Sequence, residues 1–184
     1  MKNFIAIIGV IIMVLTLSSC VETNNDIKNY VADIKNYQAG LFMPDLENIG
    51  DYKEIEYFSR KDNGIFPEYS MQLVVKYEEE AFLKEKERLE NAYTYLNEPQ
   101  KTQWNDTDYT VPLEEFSAVG FDFRIVVLED TVYPKNFGII GISDGKYEIA
   151  YLWLYCPDLD YICEANEDRN EKMLEFIEYR FSLE

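Results

Sequence analysis

The residue types best able to do chemistry gather near the C-terminal end of the chain. Cys156 and Cys163 flank an acidic stretch containing Asp158, Asp160 and Glu164, with Glu167 and Asp168 just beyond. Asp158-x-Asp160 opens like a calcium loop, since hard cations take several carboxylate and carbonyl oxygens. The pattern then departs from one, because Ile162 stands at the next ligand position and no glycine follows. Asp158 and Asp160 are therefore the candidate metal ligands, with a solvated acidic loop as the plainer alternative. Asp106-Thr107-Asp108 is a weaker version of the same pattern. The two thiols are too far apart for a redox C-x-x-C pair.

What is missing narrows the chemistry further. The chain has no histidine, which excludes Ser-His-Asp and Cys-His catalysis and any imidazole metal site. There is no phosphate-cradling glycine loop, no G-x-S-x-G and no H-E-x-x-H. Paired carboxylates remain a possible acid–base device, of the kind that hydrolyses glycosides. With 35 acidic residues, however, no pair stands out. The net charge of −18 argues against nucleic acid and against a polybasic grip on anionic lipid. It favours cations or basic partners. No cofactor is expected.

The third cysteine has a different setting. Lys2 precedes an unbroken apolar run from Phe4 to Leu15 that continues through Thr16 to Leu17. The run is long enough for a signal peptide and short of the ~20 residues that span a bilayer. It ends in Leu17-Ser18-Ser19-Cys20 and the chain turns polar at once. These four residues resemble the lipobox of bacterial lipoproteins. The resemblance implies that residues 1–19 are a signal peptide, cleaved before Cys20. It also implies that the Cys20 thiol carries a diacylglyceryl group, with acylation of its amine often following. The protein would then sit on the extracytoplasmic face of the cell membrane, held there by its lipid. An uncleaved membrane anchor is the competing reading. An extracytoplasmic location would permit a Cys156–Cys163 disulfide, contributing about 2.5 kcal/mol on chain-entropy grounds. Two reduced thiols remain equally open.

The elements that position these residues follow from periodicity. Asp26-Ile27-Lys28-Asn29-Tyr30 recurs as Asp33-Ile34-Lys35-Asn36-Tyr37, placing Ile27, Tyr30, Val31, Ile34 and Tyr37 on one helical stripe. Residues 20–40 thus read as a tether with a short helix, and 41–184 as one domain. A strand is expected over 54–59, and Asn63-Gly64 reads as a hairpin turn. Alternation from Tyr69 to Tyr77 gives the clearest strand. Glu78 to Leu96 reads as a helix with Phe82, Leu89, Ala92, Tyr93 and Leu96 on one face, ended by Asn97 and Pro99. Glu80–Lys84 and Lys86–Glu90 are its expected ion pairs. Lys101 to Pro112 reads as a loop.

Strands follow at 121–127 and 137–142, then a turn at Asp144-Gly145 into a strand from Tyr147 to Tyr155 that is apolar on both faces. Its Tyr147, Tyr151, Trp153 and Tyr155, with Tyr161, suit either a core or a binding face. Asp168-x-x-Glu171 resembles a capping box ahead of a helix carrying Met173, Leu174, Ile177, Arg180 and Phe181. The expected fold class is α+β: a mostly antiparallel sheet of about five strands packed with two main amphipathic helices, besides the N-terminal signal helix.

Pro44-Asp45-Leu46-Glu47, Gly50-Asp51-Tyr52-Lys53, Tyr133-Pro134-Lys135 and Asp158-Leu159-Asp160-Tyr161-Ile162 are together similar to segments of small uncharacterised lipoproteins of Gram-positive bacteria. That resemblance implies the same α+β domain and no particular activity. The expected function is a non-enzymatic binding or interaction module on a lipid anchor. A carboxylate-dependent envelope hydrolase and a cation-binding module are the alternatives.

Overall fold

The structure, a computed structural model, describes residues 21–97, 101–104, 107–110, 115–128, 133–159, 161, 163–164 and 168–184. Residues 1–20, on which the expected leader and Cys20 fall, and Asp160 lie outside the described residues. In chain order the elements are β1 (Val21–Asn24), α1 (Tyr30–Asn36), β2 (Tyr52–Asp62), β3 (Glu68–Tyr77), α2 (Glu79–Ala92) and β4 (Thr94–Tyr95). They continue with β5 (Lys101–Trp104), β6 (Thr107–Thr110), β7 (Glu115–Ala118), β8 (Phe121–Val127), β9 (Asn136–Ser143), β10 (Glu148–Tyr155), β11 (Cys163–Glu164) and α3 (Arg169–Phe181). Among the described residues no helix is long and apolar enough to cross a membrane.

The fold is α+β, with a larger sheet than the expected five strands. Eight strands run in the order β1-β2-β3-β10-β9-β8-β4, with β7 also paired to β8. Every pairing in it is antiparallel. A second sheet, β11-β6-β5, has three strands. The additional strands are short or polar, so they carry little of the alternation that identifies a half-buried strand. Lys101 to Pro112, expected as a loop, thus supplies β5 and β6. The expected helix through Leu96 ends instead at Ala92. Thr94 and Tyr95 pair with Val127 and Val126, and the Leu96 N–H donates to the Ile125 carbonyl at 2.9 Å.

The sheet is buried on both faces, which explains the continuous apolar run of β10. Even-numbered β10 residues Ala150, Leu152 and Leu154 pack with Phe123, Phe137 and Ile139 beneath α3, through Met173, Phe176, Ile177 and Phe181. Odd-numbered Tyr151 and Trp153 pack with Met71, Leu73 and Val75 beneath α2 (Phe82, Leu89) and an N-terminal segment. Tyr151 tolerates full burial because its hydroxyl donates to Glu85 Oε1 at 2.5 Å.

That N-terminal segment is more than a tether. β1 extends the sheet beside β2, and Tyr30, Ala39, Phe42 and Met43 are core residues. Val31, expected on the same stripe as Tyr30, is instead 66% exposed. Val31 follows Tyr30 by one residue, about 100° round the helix, so the packed face keeps Tyr30, Ile34 and Tyr37 and leaves Val31 to solvent. Asp33 ties α1 to the sheet by accepting from Asn24 Nδ2 (3.2 Å), Tyr57 Oη (2.5 Å) and Ser59 Oγ (3.0 Å).

Other local expectations divide. Glu80 and Lys84 pair at 2.7 Å, but Lys86 pairs with Asp144 and Glu90 with Arg124. Tertiary partners outside the helix displace the i,i+4 contact. At the β9–β10 turn the positive φ falls on Tyr147 (56°) rather than on Gly145. Asp168 caps α3, accepting from the N–H groups of Asn170 (2.9 Å) and Glu171 (3.3 Å). Asp168→Ala should lower the unfolding free energy by about 1 kcal/mol, measurable by urea denaturation, whereas Asp168→Ser should nearly preserve it.

Candidate functional site

The acidic C-terminal stretch and its cysteine acquire partners that are distant in sequence. β10 ends at Tyr155, and Cys156 follows it into the core with no exposure. Its Sγ lies 3.2 Å from Glu68 Oε1 and 3.3 Å from Asp158 Oδ1. Glu68 begins β3, and its other carboxylate oxygen accepts from the Arg180 guanidinium on α3. Both charged residues are buried, at 6% and 4% exposure. Ser70 Oγ donates to the Arg180 carbonyl at 2.5 Å, which fixes this turn of α3 over β3.

Burial pushes the Glu68 carboxyl up, and hydrogen bonding with Asp158 pushes it further; Arg180 pulls it down, and the balance is about 7. A carboxyl poised there is a feature of catalytic sites as well as of structural ion pairs. Here the surroundings favour the structural role, because Glu68 is buried and the Arg180 guanidinium already pairs with it. Glu68, Cys156 and Asp158 offer three ligand atoms within 4.8 Å of one another. A cation there would meet the fixed positive charge of Arg180, which disfavours it. Of the two sequence-predicted metal ligands, Asp158 joins this cluster and Asp160 lies outside the described residues. Cys163 is on β11, paired with Thr110, and its side chain lies outside the described residues, as therefore does its pairing with Cys156.

The aromatic residues of β10 separate by position. Tyr151 and Trp153 are core, Tyr161 is buried among Phe137 and Phe176, and Tyr147 packs edge-on against Phe82. Tyr155 differs. It stacks on Tyr69 of β3 (centroids 5.7 Å apart), which stacks on Tyr37 at the end of α1 (4.8 Å). This three-ring ladder forms the wall of a recess of about 300 Å³. Trp153 lies at its base, with its indole N–H donating to the Tyr37 carbonyl at 3.2 Å. Asn36, Gln38 and Asn136 supply amide groups to the lining, which contains no charged side chain. Gln38 adopts φ 55°, a left-handed conformation uncommon for a non-glycine residue.

The sequence marked Tyr155 and Trp153 as candidates for a binding face but not Tyr37 and Tyr69. Those two belong to separate elements that only the packing of α1 on the sheet brings together. Arg180 did leave a trace, as a charged residue at an apolar stripe position, but its partner lies 112 residues away. No protein-family model matches the chain, and no curated protein or solved structure matches it.

Proposed function

We propose that this chain is a lipid-anchored, extracytoplasmic binding module whose recess between Tyr37, Tyr69, Tyr155 and Trp153 takes a neutral polar ligand, best a saccharide. The observation that carries this reading is the recess lining. Small-molecule sites are concave, rich in aromatic surface and supplied with a few oriented polar groups. The apolar C–H face of a sugar ring packs on an aromatic wall, and the Asn36 and Gln38 amides suit its hydroxyls. The lining holds no carboxylate pair, which favours binding over glycoside hydrolysis. An anchor at Cys20 would hold such a module where envelope glycans are found.

Two measurements test the proposal separately. Mass spectrometry of the native protein should find residue 20 N-terminal and diacylglyceryl-modified, and an intact leader on an unmodified thiol would refute the anchor. Saturation-transfer NMR of the full chain with soluble envelope oligosaccharides should show transfer to ring protons. Tyr155→Ala should weaken binding roughly tenfold, from the loss of about 1–1.5 kcal/mol of aromatic contact. Unchanged binding by that variant would refute the site.

A further inference from the structure

A second concavity lies on the opposite face of the sheet, where α3 stops. Ser182 ends the helix in a left-handed conformation (φ 56°), and beyond it the sheet face is left uncovered. The resulting cleft holds about 500 Å³, within the range of small-molecule sites. Gln72 and Val74 of β3 form its floor, Glu54 and Glu56 of β2 one wall, and Ser182 to Glu184 its roof.

Two features point to the same ligand chemistry. The first is charge. Lys76 and Lys146 both line the cleft, and both turn to Glu148, at 3.4 Å and 4.0 Å. Glu54, Glu56 and Glu184 are left without an ion-pair partner among the described residues. The C-terminal end of α3, which carries partial negative charge, abuts the same space. The second is Gln72, only 4% exposed, whose Oε1 is buried with no hydrogen-bond partner among the described residues. Buried acceptors are normally satisfied, and here apolar Leu152 flanks Gln72 on β10 while Phe58 faces it from β2. Gln72 is among the residues that line the cleft, so a donor that satisfies this oxygen can reach it from there.

We infer that this cleft binds an organic cation bearing N–H donors, an alkylammonium or guanidinium group, with Gln72 Oε1 accepting from it and Glu54 and Glu56 balancing its charge. A simple acidic patch would attract any cation. The unpartnered amide oxygen adds a preference for a ligand that donates a directed hydrogen bond. This assignment is independent of the aromatic recess, which opens on the other face.

Calorimetry on the full chain in detergent tests it, with three probes: 1,4-diaminobutane, the peptide acetyl-Ala-Lys-Ala-amide and neutral 1,4-butanediol. One or both amines should bind and the diol should not. Binding of the diamine points to a free amine as the natural ligand, and binding of the peptide alone to a basic side chain of a partner protein. Gln72→Leu and Glu56→Gln should each weaken amine binding roughly tenfold, and higher salt should weaken it further. Gln72→Leu keeps the volume and removes the unpaired oxygen, so its melting temperature should equal or exceed that of the parent. Absence of heat with both amines up to about 10 mM, where even millimolar affinity registers, would overturn the assignment. So would equal binding of the diol, or undiminished affinity in Gln72→Leu.

Discussion

Replacing Arg180 with leucine is expected to lower the unfolding free energy by about 3–5 kcal/mol at pH 8, and by distinctly less at pH 5. The guanidinium is buried against Glu68, and removing it takes away the counter-charge that holds the Glu68 carboxyl down, so at pH 8 the group must stay charged and unpaired in the core or take up a proton there. At lower pH the carboxyl is protonated and the penalty shrinks to that of a lost hydrogen bond, about 1–2 kcal/mol.

The parent protein should itself show the titration. Glu68 has a folded-state pKa of about 7 against an ordinary 4.5, so between these values the native state holds a proton that the unfolded chain has released. The stability contributed by this group is therefore complete below about pH 4.5 and declines as pH rises to about 7, by roughly 3 kcal/mol in all. Glu68→Gln removes that slope, and the difference between its stability–pH curve and the parent's isolates the group from the many other carboxylates. The double variant Glu68→Leu/Arg180→Leu should recover to within about 1–2 kcal/mol of the parent at pH 7, since a buried pair replaced by apolar side chains is often neutral. Urea denaturation from pH 4 to 8 reads all four proteins. A cost below about 1 kcal/mol for Arg180→Leu at pH 8 would mean that the pair is hydrated like a surface one.

Alanine at Gly138 or Gly141 of β9 should cost about 2–3 kcal/mol each. Glycine to alanine in a strand would ordinarily help, by about 0.4–1 kcal/mol, through a less flexible unfolded chain. Here the space decides the sign. A Cβ at Gly138 would come within 2.5 Å of Phe42 Cδ2, and one at Gly141 would press on the Phe123 ring and sit 3.3 Å from Ala150 Cβ. Both rings are fully packed, so neither can swing aside as a surface side chain would.

The two variants should also differ. Phe42 lies over Gly138 on the α2 face, 5.7 Å from the Tyr93 ring centroid and 6.3 Å from that of Trp153. Displacing it loosens residues 30–43, so Gly138→Ala should lower hydrogen-exchange protection there. Gly141→Ala acts on the other face and should leave that segment protected. Equal protection in both variants would show that Phe42 does not hold the segment down.

How much of this was legible in advance depended on the range of the interaction. The strand from Tyr69 to Tyr77, the core of α2, the Asp168 cap and the doubly buried β10 follow from periodicity and side-chain type within a short window. Residues 21–24, 101–104 and 107–110 escaped such a reading because their pairing is through backbone groups, and polar side chains record none of it. The α2 terminus was misplaced because Thr94 and Tyr95 gain more by pairing with β8 than by continuing the helix. Of the candidate sites, Trp153 and Tyr155 were visible, whereas Tyr37, Tyr69, Gln72 and Glu68 looked like ordinary members of a helix or strand.

The sequence by itself determined the excluded chemistry, since a chain without histidine, with a strong excess of acids, has few catalytic or nucleic-acid-binding options. It also determined the expectation of a membrane address, because a lipobox is read by enzymes as a linear string. Tertiary structure alone decided which aromatic residues are core and which line a recess, where α3 leaves the sheet uncovered, and that Glu68 meets Arg180. These outcomes depend on the register of strands and helices far apart in the chain, set by the summed packing of both sheet faces and by no local pattern.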